Sequence, residues 1–162
     1  MNCYKAEFQG EILKRGFWIY VWQVNRRDGT SVYYVGRTGD SSSANAASPF
    51  NRLAQHLDFR DNAKGNAMYR NLKKERIDPR CCDFRLCACG PIFLEQDTFE
   101  NHKPYRNKTA ALEHKLAEEL ETNMGLKVIG THRFQHLPDD LEGTYREILE
   151  QVMEAFSLKK WQ

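Results

Sequence analysis

The sequence of 162 residues lacks the long apolar runs that mark secreted and membrane proteins. Its first 16 residues contain no apolar core of the length that a signal peptide needs. No later stretch approaches the roughly 20 consecutive apolar residues of a membrane-spanning helix. The sequence therefore disfavours a secreted or membrane-embedded protein and predicts an intracellular, cytoplasmic one.

The number of cysteines is odd. Five Cys, with Cys81 and Cys82 adjacent, suit reduced thiols of a cytosolic protein better than a disulfide framework. These two residues, together with Cys87 and Cys89, form no Cys-x-x-Cys pair. Alternation along a strand would also send their thiols to opposite faces, so we disfavour a zinc site.

Strong charge of either sign is missing as well, because the net charge is only +2. The molecule as a whole is therefore not the polyanion binder that a strongly basic tail would make. Positive charge is concentrated in residues 64–80, whereas residues 137–154 are strongly acidic. Any nucleic-acid site must be local, and the alternative is that both segments are merely solvated helix faces.

Apolar residues are plentiful enough to fill a core, at 41% of the chain with nine Phe, seven Tyr and three Trp. No internal repeat or linker divides the sequence. We therefore predict one domain, residues 1–162.

Two segments rich in aromatic and β-branched residues, 17–25 and 31–37, predict a β-hairpin with a turn at Asp28-Gly29. Alternating apolar residues predict a third strand over residues 82–88, ended by Gly90-Pro91. These three segments would form a small sheet.

Helical spacing and capping residues predict the first two helices. The first begins with Ser48 as N-cap and Pro49 at the first helical position, and it runs to about residue 59. The second surrounds residues 67–72 and is stopped by Asp78-Pro79.

The segment 92–107 has no clear period and is expected to be a long loop. Thr109 is expected to cap a third helix that ends near residues 123–125, and a short strand over 126–130 follows it. Thr144 and Glu147 have the spacing of a capping box and predict a last helix within residues 137–160. The predicted fold is α/β, a three-stranded sheet flanked by helices in the order ββααβα with an extra C-terminal helix.

Several residues suited to hydrolytic chemistry occur in order along these elements. Trp18-Ile19-Tyr20 in the first hairpin strand faces Tyr34-Val35-Gly36 in the second. Five further residues follow these two motifs along the chain: Arg37, Arg52, His56, Glu113 and Asn123. Together they resemble the GIY-YIG nuclease family over roughly residues 17–130. The first signature has Trp in place of Gly, and the second has Val in place of Ile, while both tyrosines are present.

Hydrolysis of a phosphodiester needs an activated water and stabilisation of added negative charge. Glu113 is a hard oxygen ligand suited to Mg²⁺ or Mn²⁺, and Mg²⁺ held by one carboxylate keeps most of its waters. Arg52 offers a planar set of donors to a phosphate, and its place four residues before His56 puts both on one helical face. These residue types can therefore serve one metal-assisted reaction.

The resemblance implies a metal-dependent endonuclease that cleaves DNA. It implies that Tyr20 helps to activate the attacking water and that His56 accepts a proton. It further implies that Tyr34 and Arg37 line the site and that Asn123 steadies the local architecture.

The basic segment is expected to hold the DNA backbone through Lys64, Arg70, Lys73, Lys74 and Arg76. Backbone contacts position a nucleic acid but do not specify its sequence. The sequence contains no recognisable helix-turn-helix or zinc finger, so selectivity for branched or damaged DNA would come from its own loops, a homodimer or a partner protein. Repair, restriction and mobile-element roles all stay open, as does association with the nucleoid.

Two alternatives stay open. The degenerate first signature and the modest net charge also fit a catalytically inactive module that binds nucleic acid or protein on the same scaffold. Taken singly, the two tyrosines are ordinary strand aromatics, and the remaining residues are ordinary surface groups of an α/β adaptor. His132 and His136, four residues apart in a predicted loop, are interpreted as surface histidines.

Overall fold

The computed structural model describes residues 1–60, 62–130 and 132–159. Within these ranges the chain forms three β-strands and four α-helices, which confirms the mixed α/β class. In chain order they are β1 (Phe17–Arg26), β2 (Ser31–Arg37), α1 (Pro49–His56), α2 (Ala67–Lys74), β3 (Cys82–Phe93), α3 (Phe99–Glu118) and α4 (Glu142–Phe156).

The three strands form one antiparallel sheet in the order β2-β1-β3. The predicted hairpin is confirmed, and Asp28 stabilises its turn by accepting a hydrogen bond from the Thr30 N–H at 2.9 Å. The third strand does not end at Gly90-Pro91, as predicted, but continues to Phe93. It can do so because β3 is an edge strand whose register shifts by a bulge at this point, where a residue without an N–H is tolerated.

Both helices after the hairpin end earlier than predicted. Ser48 caps α1 as expected, its side chain accepting from the Asn51 N–H, but the helix ends at His56. The end of α2 is not set by Asp78-Pro79. Arg76 takes a left-handed φ of 57°, and the Ile77 N–H donates to the Leu72 carbonyl at 2.9 Å, which closes the helix.

The expected loop over residues 92–107 is wrong, because α3 begins at Phe99. Thr98 is its N-cap, with a side chain that accepts from a backbone N–H three residues on. Thr109, predicted as the cap, is buried inside the helix and donates to a carbonyl one turn earlier at 2.9 Å. A threonine hydroxyl can serve either role, and Pro104 inside the helix hides its continuity from a local reading of the sequence.

Beyond α3 the chain makes a π-helical turn, Glu119–Asn123, and ends at a Gly125 with φ of 64°, where the end was predicted. The predicted strand over 126–130 is reduced to one parallel bridge, in which Val128 pairs with Tyr33 of β2. This pairing covers only part of the β2 edge.

The last helix lacks the predicted capping box, because α4 starts at Glu142 after a 3-10 turn, Asp139–Leu141, and Thr144 lies inside it. Its predicted apolar stripe is buried, as expected: Tyr145, Ile148, Leu149, Val152 and Phe156. The predicted segment 137–160 ends at a residue outside the described ranges. None of the described helices combines the length and the apolar character that crossing a membrane requires.

Helices cover the sheet on both sides. On one side, which we call the α3–α4 face, Ile19, Val21 and Val35 pack with the apolar residues of α3 and α4. On the other, the α1–α2 face, Tyr20 and Tyr34 belong to a second buried cluster. The further members of that cluster include Trp22, Val24, Met68, Leu72 and Ile77.

Candidate active site

Residues from both faces of the sheet approach each other at the Gly36 end of β2. Alternation along the strand sends Tyr34 to the α1–α2 face and Arg37 to the opposite one. Gly36 pairs with Tyr20 across the hairpin. A Cβ at this glycine would lie 2.5 Å from the Tyr20 Cε2 atom, so the missing side chain gives the Tyr20 ring its place.

Tyr20 forms a buried hydrogen bond with His56, and the Tyr20 Oη to His56 Nε2 distance is 2.6 Å. The Tyr34 ring packs edge-on against the same imidazole, with ring centroids 5.2 Å apart. Burial raises the pKa of Tyr20 well above its usual range, and burial together with the charge of Arg52 lowers the pKa of His56 to about 3. Both partners are therefore neutral at pH 7, and one proton lies between Oη and Nε2.

Arg52 lies one helical turn before His56, and only 18% of its side chain is exposed. One Nη donates to Asp40 Oδ2 and the other to Gln55 Oε1, each at 3.0 Å. The Nε is buried and has no hydrogen-bond partner among the described residues. The positive charge of Arg52 opposes the rise in the pKa of Tyr20 that burial causes.

Glu113 is supplied by α3 and accepts a hydrogen bond from the Arg37 Nε at 2.9 Å through its Oε2. Arg37 also donates to the Arg106 carbonyl at 3.3 Å, which holds the guanidinium in place. Only 20% of the Glu113 side chain is exposed, and burial raises the pKa of this carboxyl, although Arg37 and His132 oppose the shift. The other oxygen, Oε1, accepts no hydrogen bond within the described part of the chain.

Electrostatic effects connect the carboxylate to the phenols. Burial, and next the charge of Glu113, raise the pKa of Tyr34, and Glu113 contributes to the raised pKa of Tyr20 as well. Six of the seven residues singled out as catalytic thus lie around the Gly36 end of β2. The group consists of Tyr20, Tyr34, Arg37, Arg52, His56 and Glu113.

The structure does not bring the seventh residue, Asn123, to this place. Its side chain is exposed in the π-helical turn after α3 and donates to Glu119 Oε2 at 2.7 Å. It lies ten residues beyond Glu113, which corresponds to about 15 Å along a helix axis. A contact with the same substrate atoms is therefore excluded, and its proposed role in local architecture stays a prediction.

Two residues at the site were missed in the sequence. Asp40 lies three residues after the end of β2, next to Gly39, whose carbonyl accepts a hydrogen bond from the buried His102 at 2.8 Å. His132 is half-buried rather than a plain surface histidine, and its Nε2 donates to the Val35 carbonyl at 3.0 Å. No spacing signal marks Asp40, and the spacing of His132 from His136 did not indicate the site, because both segments are irregular and only the tertiary fold brings them here.

The predicted DNA-binding residues are all exposed, at one side of this site: Lys64, Arg70, Lys73, Lys74 and Arg76. Arg70 is near enough to lower the pKa of Tyr34. Lys64 adjoins Gly65, where a Cβ would lie 3.7 Å from an Arg52 Nη. Positive charge therefore continues from the site along α2.

The side chains present fit a metal that is held mainly by water and substrate. The described residues contain no group of three or more His, Cys, Asp or Glu that would enclose an ion. Glu113 nevertheless offers a hard oxygen without a hydrogen bond from a described residue. Mg²⁺ is commonly bound by one or two carboxylates and a substrate phosphate, with water in its other positions.

No protein-family model, curated protein or solved structure matches the chain. Its function must therefore be inferred from the side chains at the Gly36 end of β2 and from the sequence motifs that supply them.

Proposed function

We propose that this protein is a GIY-YIG-like endonuclease that uses Mg²⁺ or Mn²⁺ to hydrolyse phosphodiester bonds in DNA. The observation that carries the proposal is the grouping of two polar pairs around Gly36. The Tyr20 ring, which is hydrogen-bonded to His56, lies against Gly36, and the next residue, Arg37, holds Glu113 of α3 at 2.9 Å. These groups come from three separate parts of the chain, and a purely structural sheet edge needs neither a buried phenol–imidazole pair nor a half-buried carboxylate beside it.

Arg52 is proposed to bind the scissile phosphate. Its guanidinium is planar, partly exposed and held by Asp40 at 3.0 Å, so a phosphate oxygen can take the place of this carboxylate. The same donors would then meet the negative charge that develops on the phosphate in the transition state. Arg52 therefore contributes more to the rate than to ground-state binding.

Tyr20 and His56 are proposed to remove a proton from the attacking water. The Tyr20 oxygen accepts a proton from the water while its own proton passes to His56 Nε2 over the 2.6 Å hydrogen bond. A phosphate bound to Arg52 offsets the positive charge that helps to keep the pKa of His56 low. Substrate binding thus makes the imidazole a stronger base.

Glu113 is proposed to hold the metal ion, with Arg37 fixing the orientation of its carboxylate. A bound Mg²⁺ or Mn²⁺ would supply Lewis-acid stabilisation of the phosphate charge and of the leaving oxygen. Tyr34 keeps the imidazole of His56 in place through edge-on packing.

The decisive test is cleavage of plasmid DNA by Glu113→Ala in the presence of Mg²⁺ or Mn²⁺. We expect the rate to fall by roughly 10³-fold or more, because a metal ligand contributes several kcal/mol to transition-state stabilisation. Glu118→Ala on the same helix is the matched control, since Glu118 is exposed and its ion-pair partner among the described residues is Lys115. Undiminished cleavage by Glu113→Ala, with an unchanged circular dichroism spectrum, would exclude the proposed reaction.

A second candidate is a module that binds nucleic acid or protein on the same scaffold without catalysis. The ion pairs between Arg37 and Glu113 and between Arg52 and Asp40 favour it, because they already neutralise the groups that catalysis needs. Titration of both metals against supercoiled, branched and single-stranded DNA and against RNA distinguishes the two. Metal-dependent product with any substrate supports the enzyme, and binding without product supports the module.

A further inference from the structure

An open groove lies at the C-terminal end of α2 and has a volume of about 510 Å³. Aromatic and cationic side chains share its wall. The lining residues that matter for its chemistry are Phe59, Tyr69, Lys73, Arg76 and Arg80. This size is within the range of about 300–1,000 Å³ that is typical of small-molecule pockets.

Phe59 and Tyr69 form the aromatic part of the groove. Their ring centroids are 5.0 Å apart with planes at 47°, so Tyr69 supports the Phe59 ring from one side. Phe59 is nevertheless 43% exposed to solvent. A large apolar ring that is held in place yet left accessible offers a flat surface on which another ring can stack.

The charged part of the groove has unpaired cations. Lys73 and Arg76 have no ion-pair partner among the described residues, whereas Arg80 is paired with Asp78 at 2.9 Å. The groove thus carries three cationic side chains and one carboxylate. An anion that enters it meets a positive potential, and no ion pair of Lys73 or Arg76 with the described residues has to be broken first.

The groove is close to the proposed catalytic pair. Phe59 follows His56 by three residues, so their Cα atoms are no more than about 11 Å apart. The connection is also fixed, because Asn66 at the start of α2 donates its Nδ2 to the Asp58 carbonyl at 3.1 Å. A polymer bound in the groove can therefore extend toward α1 and its partly exposed Arg52.

We propose that this groove binds a single-stranded segment of nucleic acid, with one unpaired base stacked on Phe59 and the flanking phosphates on Lys73 and Arg76. In a duplex the faces of the bases are covered by their neighbours, so the exposed ring would find no partner. An acidic peptide would pair with the cations but would offer no ring to stack on Phe59. The assignment rests on the proposed function in one respect: it makes DNA with an unpaired segment near the cleavage position the preferred substrate.

The first test measures binding without cleavage, by fluorescence anisotropy of a labelled oligothymidylate of about 12 nucleotides in EDTA. We expect Phe59→Ala to weaken the affinity about tenfold, because it removes the stacking surface. Phe59→Trp should restore the affinity, and Phe59→Leu, which keeps an apolar side chain without a ring, should not. Equal affinities for wild type and Phe59→Ala would overturn the proposal.

The second test measures the salt dependence of the same binding. Lys73→Gln should reduce the slope of log affinity against log salt by about 0.7, the amount expected for one lost phosphate contact of a single strand. The matched control is Arg146→Gln, which removes the same charge from an exposed position on α4, on the other side of the sheet. If both variants change the slope by the same amount, the change reflects the net charge of the protein. The proposed contact between Lys73 and a phosphate would then be wrong.

Failure of the groove and failure of the enzyme have different signatures. Suppose that neither the wild type nor any variant cleaves a substrate, while Phe59→Ala still binds single-stranded DNA more weakly. The groove assignment then stands and the enzyme proposal falls. Suppose that cleavage depends on Glu113 but Phe59→Ala loses affinity for duplex and single-stranded DNA equally. The groove assignment alone then falls. It also falls alone if a polyglutamate peptide displaces the labelled oligonucleotide as effectively as unlabelled oligonucleotide does.

Discussion

The two faces of the sheet use buried space differently. On the α3–α4 face, Leu116 and Val152 are fully buried among other apolar side chains. On the α1–α2 face, the end nearest Gly36 holds the Tyr20 and His56 pair, and the Nδ1 of His56 has no partner among the described residues. The comparison indicates that the α3–α4 face is mainly an apolar core, whereas the Gly36 end of the other face also holds titratable groups in a fixed arrangement.

Of the effects that test this contrast, we expect the largest in the cleavage rate of the Arg52→Ala variant. We expect cleavage to slow by roughly 10²–10³-fold, because the donors that stabilise the transition-state charge are removed, while DNA affinity falls only slightly. Arg52→Lys should recover only part of the rate, since a point charge lacks the planar fork of donors. Single-turnover cleavage and equilibrium binding measure the two quantities, and an equal loss in both would make Arg52 an anchor for DNA only.

The complementary substitution is Leu116→Ala on the apolar face. We expect the free energy of unfolding to fall by about 3 kcal/mol, because Leu116 is fully buried and its truncation leaves a cavity. The cleavage rate of the remaining folded protein should stay unchanged. Urea unfolding gives the first quantity and cleavage well below the melting temperature gives the second. A rate loss as large as that of Arg52→Ala would erase the distinction between the two faces.

The smallest effect concerns the pH dependence of stability through His56. Its folded pKa of about 3 is below its ordinary value of 6.5, so the unfolded chain binds the proton more readily in this range. Stability from the neutral imidazole is present above pH 6.5 and is lost as the pH falls, by roughly 1.5 kcal/mol between pH 6.5 and 5.

His56→Gln keeps a hydrogen-bonding group beside Tyr20 and removes the titration. Its unfolding free energy should therefore vary less steeply over the same range, whatever its absolute stability. Urea titrations at several pH values measure both slopes. Parallel slopes for the two proteins would show that this imidazole is not held neutral in the folded state.

Local sequence signals were sufficient to predict a secondary-structure element when its formation depends mainly on its own residues. The hairpin followed from its aromatic and β-branched segments, and α1 from Ser48 and Pro49. The residues now gathered around Gly36 were singled out differently, by their joint order along the chain and the family resemblance that this order carries. The spacing of these residues could not predict that groups from the two faces of the sheet meet near Gly36, because this depends on how α3 crosses the sheet.

Errors arose where tertiary contacts override a local signal. Gly90-Pro91 lies within β3 because a bulge on an edge strand tolerates it. Thr109 is buried in a helix that begins 10 residues earlier, at Phe99. Asp40 could not be anticipated, because its place depends on a loop held by the His102 contact with Gly39.

The close fit between Gly36 and the Tyr20 ring has a practical consequence. A methyl group at position 36 would enter the volume of that ring, with only 2.5 Å between Cβ and Cε2. Enlarging this one residue would push the phenol aside while leaving every ionisable group of the protein chemically intact. If the proposed cleavage occurs, position 36 thus offers a steric means of stopping it without altering charge, which is what capturing an uncleaved substrate complex requires.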